Sequence, residues 1–395
     1  MSLNEDKRSQ RLRIALVMRD YSQGRGGAER YFVNLSRALA AMGHEVHIFA
    51  AVFTGPQEHG IHFHRVPMMA KPAFLRLLSF FLNARRMVRE YRDRLDVVQS
   101  LTMVYPSDIF RLGGEVQKEW MKIRCPSLIL RVLKFIFSPV YILNLYLERN
   151  IMDLNNTREI ITISALEKKI LLQYYDYPED RITVVYNGVD HRQFHPGVKQ
   201  YRDLLRKELC IMDSELVGLF SANNFHRKGL DAVIAALPLI PKEKRSRILV
   251  IGRGKAFSYQ RQARRLKVSD SILFIGPVDD PERFYGASDF LVLPSRYDSF
   301  GNVHLEALAC GLPVITTKMA GGSEVVRPGE TGFVLDGTDR IEALADAMIR
   351  LGDPGLREQM ARLAPVTVQD FTSEKNAKET LNVLQRVLRG KSPLS

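Results

Sequence analysis

Cysteine is scarce in this chain of 395 residues, and its three cysteines stand far apart at positions 125, 210 and 310. No two of them form a CxxC pair, so the sequence indicates neither a disulfide framework nor a zinc site. The first ten residues are polar and charged, and they lack the apolar segment of a secretory signal. We therefore expect a protein of the reducing cytoplasm.

Long unbroken apolar runs are also missing. The apolar stretch at residues 118–149 is interrupted by Arg131, Lys134 and Pro139, which makes a transmembrane helix a poor fit. Aromatic residues alternate there with lysine and arginine, a mixture that suits a helix lying at a membrane surface. A second basic helix is predicted at residues 74–91, where a core-facing helix with extended arginines is the commoner explanation. We predict peripheral attachment to the anionic inner face of the membrane.

Positive charge is concentrated in the first part of the chain. The net charge is +13, and residues 1–150 contain 23 Lys and Arg against 13 Asp and Glu. Such an excess favours an anionic partner, either a membrane lipid, a nucleic acid or a phosphorylated acceptor. A solvated arginine-rich surface is the alternative. Among these partners we do not expect nucleic acid.

Strand and helix patterns alternate twice along the chain. Near-continuous apolar strands, such as those at residues 12–18 and 290–293, are typical of parallel sheets covered on both faces. An Asn-Gly turn at residues 187–188 and a Pro-Gly pair at 196–197 separate the two series. The predicted fold class is therefore α/β, with two doubly wound Rossmann-like domains at residues 1–190 and 191–370 and a final helical segment at 371–395.

The most informative stretch is residues 289–306, DFLVLPSRYDSFGNVHLE. A buried strand ends at a proline and a polar turn carries Asp298, after which a helix is predicted to open at Phe300, Gly301 and Asn302. The free amides at that helix start favour an anion, and Glu306 follows about two turns inside. An acidic helix cap and a solvated glutamate are the alternative explanation. The pattern suits a sugar-nucleotide site.

Two further segments carry residues suited to an anion. Arg227 and Lys228 follow a strand of the second series, and together they offer a planar fork and a compact charge to a diphosphate. A DxD metal-binding pair is missing from any comparable strand end, so we predict no metal requirement. In the first series, Gly26 and Gly27 let the backbone approach a ligand closely, but Glu29 breaks the dinucleotide fingerprint.

The acidic pair with seven residues between its members, and with Arg227 and Lys228 upstream, resembles the signature of the family 4 glycosyltransferases, although Asp298 replaces the usual glutamate. The resemblance implies the two-domain GT-B fold, with a cleft between the domains and the final helix returning to the first. It also implies retaining transfer without a cofactor.

The resemblance assigns roles to the predicted residues as follows. The donor diphosphate is expected at Gly26, Gly27, Arg227, Lys228, Phe300, Gly301 and Asn302; the ribose at Glu306; the nucleobase at Val278; and Asp298 is expected to act at the transferred sugar.

Many members of that family carry a catalytic histidine on the first domain, but the matching region here, FRLGGEV at residues 110–116, has none. In this respect the chain resembles the lipopolysaccharide-core glucosyltransferases of the family, and Glu115 becomes the acidic candidate. We expect transfer of a hexose, glucose foremost, from a UDP-sugar to a lipopolysaccharide-core or similar glycolipid. A GDP-mannose-type transferase of another polysaccharide and a non-catalytic protein that binds anionic membranes remain alternatives.

Overall fold

The computed structural model describes residues 11–22, 27–54, 58–125, 127–129, 131 and 137–390 of the chain, without the side chains of residues 28–30. The first half contains these strands: β1 (Arg13–Val17), β2 (Asp20–Tyr21), β3 (Glu45–Ala50), β4 (Val52–Phe53), β5 (Ile61–Arg65), β6 (Val97–Ser100), β7 (Ser107–Leu112), β8 (Thr157–Thr162) and β9 (Ile182–Val184). Its helices are α1 (Gly27–Ala41), α2 (Ala73–Glu90), α3 (Gln117–Arg124), α4 (Pro139–Ile151) and α5 (Ala165–Tyr174).

The first sheet has the strand order β5-β3-β1-β6-β7-β8-β9, and every pairing in it is parallel. Strands β2 and β4 form a separate short pair. Side chains alternate along β1, so that Ala15 and Val17 enter the core on one face while Ile14 and Leu16 enter the core on the other. The chain reverses direction across the sheet between β1 and β6, which is where doubly wound folds bind ligands.

The second half repeats this plan. Its strands are β10 (Val217–Ser221), β11 (Arg247–Ile251), β12 (Ile272–Gly276), β13 (Phe290–Leu293), β14 (Val314–Thr317) and β15 (Gly332–Leu335). Its helices are α6 (Arg202–Glu208), α7 (Leu230–Ala236), α8 (Phe257–Arg265), α9 (Pro281–Ala287), α10 (Val303–Ala309), α11 (Ile341–Arg350), α12 (Pro354–Val368) and α13 (Ser373–Arg389). The parallel order β12-β11-β10-β13-β14-β15 reverses between β10 and β13. The predicted α/β class is confirmed.

Short 3-10 turns complete the described elements, at Arg92–Arg94, Glu179–Arg181, Pro196–Tyr201, Leu237–Leu239, Lys242–Lys244, Ser269–Ser271 and Gly321–Val325.

The final helix, α13, packs against the first sheet rather than the second. Thr372 caps it by accepting a hydrogen bond from the amide of Lys375. Its buried face, including Ala377 and Leu384, joins the core formed with β1 and α1. The guanidinium of Arg386 forms an ion pair with the buried carboxylate of Glu159 on β8. The last helix therefore ties the end of the chain to the first domain.

The basic segments differ from a simple surface helix. Helix α2 buries Phe80, Phe81, Ala84 and Val88, so its apolar face belongs to the core. In the predicted interfacial stretch, α3 ends at Arg124 and α4 begins at Pro139, with residues 126, 130 and 132–136 lying outside the described part. Helices long and apolar enough to span a membrane are absent from the part of the chain that the structure describes.

Candidate functional site

A cavity of about 570 Å³ lies between the two sheets, at the carboxyl ends of their strands. Its lining includes the loops after β1, β6, β7, β8 and β9 in the first half and after β10, β11, β12 and β13 in the second. Because β10 and β13 flank the reversal point of the second sheet, their loops meet at the same edge. The cavity brings together these predicted residues: Glu115, Arg227, Lys228, Val278, Asp298, Phe300, Gly301, Asn302 and Glu306.

The structure does not test the two predicted glycines of the first domain. Gly26 lies outside the described residues, and Gly27 is the first residue of α1. Their predicted contact with a ligand therefore stays a prediction.

Lys228 and Asp298 form an ion pair at the floor of the cavity. Lys228 follows β10, Asp298 follows β13, and both side chains are more than nine-tenths buried. Burial, and after it the neighbouring Arg227, lowers the pKa of Lys228 well below its usual range. The two charges replace part of each other's lost hydration, and an anion entering the cavity would compete with Asp298 for the lysine.

A second ion pair crosses the cleft and joins Arg227 to Glu115. Glu115 follows β7 of the first sheet, so this contact holds the two domains together. The next residue reinforces it, because the amide of Val116 donates to the hydroxyl oxygen of Tyr297 at 3.2 Å. Burial lowers the pKa of Arg227, while the nearby Tyr297 raises it. Glu115 thus faces the second domain and not open solvent.

The turn after Asp298 differs from the predicted one. Gly301 has a left-handed backbone with φ +82°, and the helix α10 begins only at Val303, with Asn302 as its cap residue. The amides of Phe300 and Gly301 therefore precede the helix instead of forming its first turn. A Cβ at Gly301 would overlap the carboxylate of Asp298, which explains glycine at this position.

Glu306 lies in the first turn of α10, not two turns inside as predicted. Its carboxylate accepts a hydrogen bond of 2.6 Å from the hydroxyl of Tyr285 on α9. Burial raises the pKa of Tyr285 well above its usual range, so this phenol remains a donor. The contact fixes the Glu306 side chain at the cavity wall.

Asn187 and Arg111 line the cavity but were not predicted from the sequence as site residues. Asn187, interpreted only as part of a linker turn, donates to the side-chain oxygen of Asn302 at 2.7 Å. It also accepts a 2.7 Å hydrogen bond from Arg111, a buried arginine of β7. Asn187 thus links the two domains at the cavity wall. The Asn-Gly pair gave a turn signal, but nothing in the sequence indicated these partners.

Clusters of three or more histidine, cysteine, aspartate or glutamate side chains suited to a metal ion do not occur among the residues that the structure describes.

Family models match the chain in two blocks. The model described as Glycosyltransferase Family 4 matches residues 25–114 and 120–193, and the model described as Glycosyl transferases group 1 matches residues 202–365.

Similar proteins of known sequence extend over most of the chain. An uncharacterized glycosyltransferase of Methanocaldococcus jannaschii is 26% identical over 94% of this chain and 97% of its own length. The lipopolysaccharide glucosyltransferase WaaG of Escherichia coli is 22% identical over 78% of this chain and 82% of its own.

Solved structures share the fold. The crystal structure of WaaG, described as a glycosyltransferase involved in lipopolysaccharide biosynthesis, has a TM-score of 0.80 at 20% identity and covers 94% of this chain and 99% of that one. Anabaena Alr3699/HepE in complex with UDP and glucose has a TM-score of 0.69 at 20% identity and covers 95% of this chain and 99% of that one.

Proposed function

The chain belongs to the GT-B glycosyltransferases of the family 4 type, and from this premise we propose that it transfers a hexose, glucose foremost, from a UDP-sugar to an envelope glycolipid such as the lipopolysaccharide core. The observation that carries the proposal is the pair of cations, partly buried Arg227 and buried Lys228, in a cleft whose opposite wall presents Glu115. A neutral or cationic ligand would gain no charge attraction from those cations, whereas a diphosphate would be attracted by both of them.

In this proposal the cations stabilise the leaving group. As the bond between the sugar and the diphosphate breaks, negative charge grows on the phosphate oxygens, and Arg227 and Lys228 already stand where that charge appears. Because both side chains are largely withdrawn from solvent, their charges act more strongly there than at the surface. These two side chains take the place of a metal ion, so the proposed reaction requires none.

The remaining residues are proposed to position the reactants. Glu306, held by Tyr285, would accept hydrogen bonds from the ribose hydroxyls, and Val278 would lie against the nucleobase. Asp298 would bind the transferred sugar, and Glu115 would orient the acceptor hydroxyl. We propose retention by attack on the same face of the sugar that the diphosphate leaves, with a phosphate oxygen taking the acceptor proton. Catalysis would then rest on positioning and on charge stabilisation.

Support for the UDP donor comes from the HepE structure, which contains UDP, and support for the glycolipid acceptor comes from WaaG. A melting assay with UDP, GDP and ADP tests the donor, since a ligand at about a hundred times its Kd stabilises the native state by about 2.7 kcal/mol. We expect the largest shift with UDP. A larger shift with GDP would indicate that the donor is a GDP-sugar, such as GDP-mannose, and not a UDP-sugar.

A turnover assay with UDP-glucose and extracted core lipid tests the transfer itself. We expect Lys228→Met to abolish glucose transfer while Lys318→Met, which alters an exposed lysine paired with Asp336, retains it. Equal activity of the two variants would contradict the proposed role of Lys228. Failure of every nucleotide to stabilise the protein would contradict the transferase proposal and favour the non-catalytic alternative.

We also propose that the region between α3 and α4 attaches the protein to the inner face of the cell membrane. Exposed apolar side chains cluster in and beside it, namely Leu128, Ile129, Phe137, Ile142 and Tyr146. Exposed Lys122 and Arg124 at the end of α3 would pair with anionic headgroups. This arrangement would bring a glycolipid acceptor to the cleft.

Vesicle flotation tests the attachment. We expect binding to vesicles with anionic lipid and little binding to neutral ones. The double change Leu128→Ser with Ile129→Ser should release the protein, whereas Phe257→Ser, at an exposed phenylalanine of α8, should not. Flotation that is independent of lipid charge would contradict the proposal.

A further inference from the structure

Arg111 is a buried arginine at the carboxyl end of β7, and it lines the cavity from the first domain. Only 2% of the residue is exposed. Its Nη2 donates to Asn187 at 2.7 Å, and its guanidinium carbon lies 4.1 Å from the centre of the Tyr31 ring. These contacts fix the plane and the direction of the guanidinium before any ligand binds.

The charge of Arg111 is not balanced by a carboxylate in contact. Its side chain forms no ion pair within 4.0 Å, and its Nη1 finds no acceptor, among the residues that the structure describes. Removing a charge from water costs several kcal/mol unless a partner restores the lost interactions. Burial accordingly lowers the pKa of Arg111, and the attractions of Tyr31 and Glu167 only partly offset this.

Glu167 on α5 is the alternative partner, since it is buried nearby. One of its oxygens accepts a 3.0 Å hydrogen bond from the amide of Ile163, and the other has no partner among the described residues. Burial raises the pKa of Glu167 well above its usual range, which favours the neutral acid. A neutral Glu167 leaves the cation of Arg111 in need of another anion.

The position of Arg111 indicates the nature of that anion. Asn187 forms hydrogen bonds to both Arg111 and Asn302. Asn302 follows Gly301, which lies against the Asp298 carboxylate that pairs with Lys228. Arg111 is therefore connected by successive contacts to the floor where the second domain presents its cations. The cavity has cations on both walls.

We propose that Arg111 is a further contact of the first domain to the donor diphosphate, in addition to the predicted Gly26 and Gly27. This inference rests on the proposed function and extends it, because it names a residue outside the Arg227 and Lys228 pair. A diphosphate held by Lys228 on one wall and by Arg111 on the other would bridge the two domains. Donor binding then stabilises the closed cleft directly, in addition to filling the donor site.

Isothermal titration of the full chain with UDP, uridine and inorganic pyrophosphate tests this contact. Pyrophosphate is included because it reports on the phosphate subsite whatever the base. We expect Arg111→Met to weaken binding of UDP and of pyrophosphate by about tenfold to a hundredfold, which is about 1.4 to 2.8 kcal/mol. Uridine, which has no phosphate, should bind the variant as it binds the wild type.

Matched variants separate this role from a structural one. Arg206→Met removes an equally buried arginine that is bonded to Asp289 and lies away from the cavity, so it should lower the melting temperature and leave pyrophosphate affinity unchanged. Arg111→Lys keeps the charge and loses the fork, so we expect partial recovery of pyrophosphate affinity. If Arg111→Met does not fold, a loss of affinity in Arg111→Lys at an unchanged melting temperature supports the proposal, and full affinity overturns it.

The remaining outcomes of these experiments distinguish the possible roles of Arg111. If Lys228→Met loses pyrophosphate affinity and Arg111→Met keeps it, the inference is wrong while the proposed function stands. If Arg111→Met raises only the KM for the acceptor, the residue binds an anionic acceptor instead. If it lowers the melting temperature without changing the shift caused by pyrophosphate, its role is structural. If the wild type binds neither UDP nor pyrophosphate, the proposed function itself fails.

Discussion

Protonation of His304 is expected to weaken the fold directly beneath the cavity. This histidine of α10 is fully buried, and its Nδ1 lies 2.7 Å from the carbonyl oxygen of Gly301 while its Nε2 lies 2.8 Å from the hydroxyl of Thr316. Nδ1–H therefore donates to the carbonyl, and Nε2 contacts the hydroxyl of Thr316, which also lies 3.2 Å from the carbonyl oxygen of Leu293. Burial lowers the pKa of His304 to about 4; the Gly301 hydrogen bond opposes this and the charge of Lys228 adds to it.

The size of the effect follows from the pKa difference between the folded and unfolded states. An unfolded histidine has a pKa of about 6.5, and each unit of pKa difference corresponds to about 1.4 kcal/mol. With a folded pKa of about 4, neutral His304 therefore contributes about 3 kcal/mol to the free energy of unfolding at neutral pH. The sign is fixed, because the unfolded chain takes up the proton first as the pH falls. This stability is present above about pH 6.5 and is lost progressively down to about pH 4.

Urea unfolding at neutral pH and near pH 4 measures this loss in the wild type, in His304→Gln and in His59→Gln, whose side chain is exposed. His304→Gln should be less stable at neutral pH, by about 1 kcal/mol for an impaired hydrogen bond. It should also lose about 3 kcal/mol less than the wild type on acidification. The control should follow the wild type. Parallel losses in wild type and His304→Gln would refute the argument.

Two further substitutions test the turn and the domain contact. Gly301→Ala combines a strained left-handed backbone with overlap on Asp298 and should abolish transfer. Gly329→Ala has a similar φ of +81° with open space around it, so it should lower the free energy of unfolding by only about 1 kcal/mol and keep activity. Equal activity of the two variants in a transfer assay would contradict this expectation. Glu324 accepts hydrogen bonds from two α5 amides, at 3.0 and 2.7 Å, and from the hydroxyl of Tyr186. Glu324→Ala removes these contacts and should open the cleft. An unchanged radius of gyration in small-angle scattering would contradict this expectation.

The sheet strands were largely predictable because parallel strands covered on both faces consist of apolar runs. Strand β7, SDIFRL, was not predicted, although every residue of it is buried. Two of its residues are charged, and burying these side chains is tolerated energetically only because partners distant in sequence form hydrogen bonds with them. Asp108 accepts two hydrogen bonds, at 2.8 and 2.9 Å, from Arg92, and Arg111 donates to Asn187. Sequence periodicity contains no information about such pairs.

The candidate site was predictable in its residue types more than in its geometry. The order of strand, polar turn and helix located Asp298, but the helix start depended on Gly301, whose left-handed backbone delays α10 to Val303. That delay moves Glu306 into the first turn. The pairing of Arg227 with Glu115 joins residues of different domains, and only the closed arrangement of the two sheets creates it.

In the proposed function, the charges of the cavity would connect donor binding to the release of the two acids, Asp298 and Glu115. The two cations of the second-domain wall are already paired, Lys228 with Asp298 and Arg227 with Glu115. A diphosphate that displaces those carboxylates would take over the cations and repel the acids at the same time. Each exchange would therefore release a carboxylate where the sugar and the acceptor hydroxyl are proposed to lie. Without a donor both acids stay neutralised, so the same side chains that would bind the diphosphate would also keep the empty site from activating a hydroxyl or a water molecule.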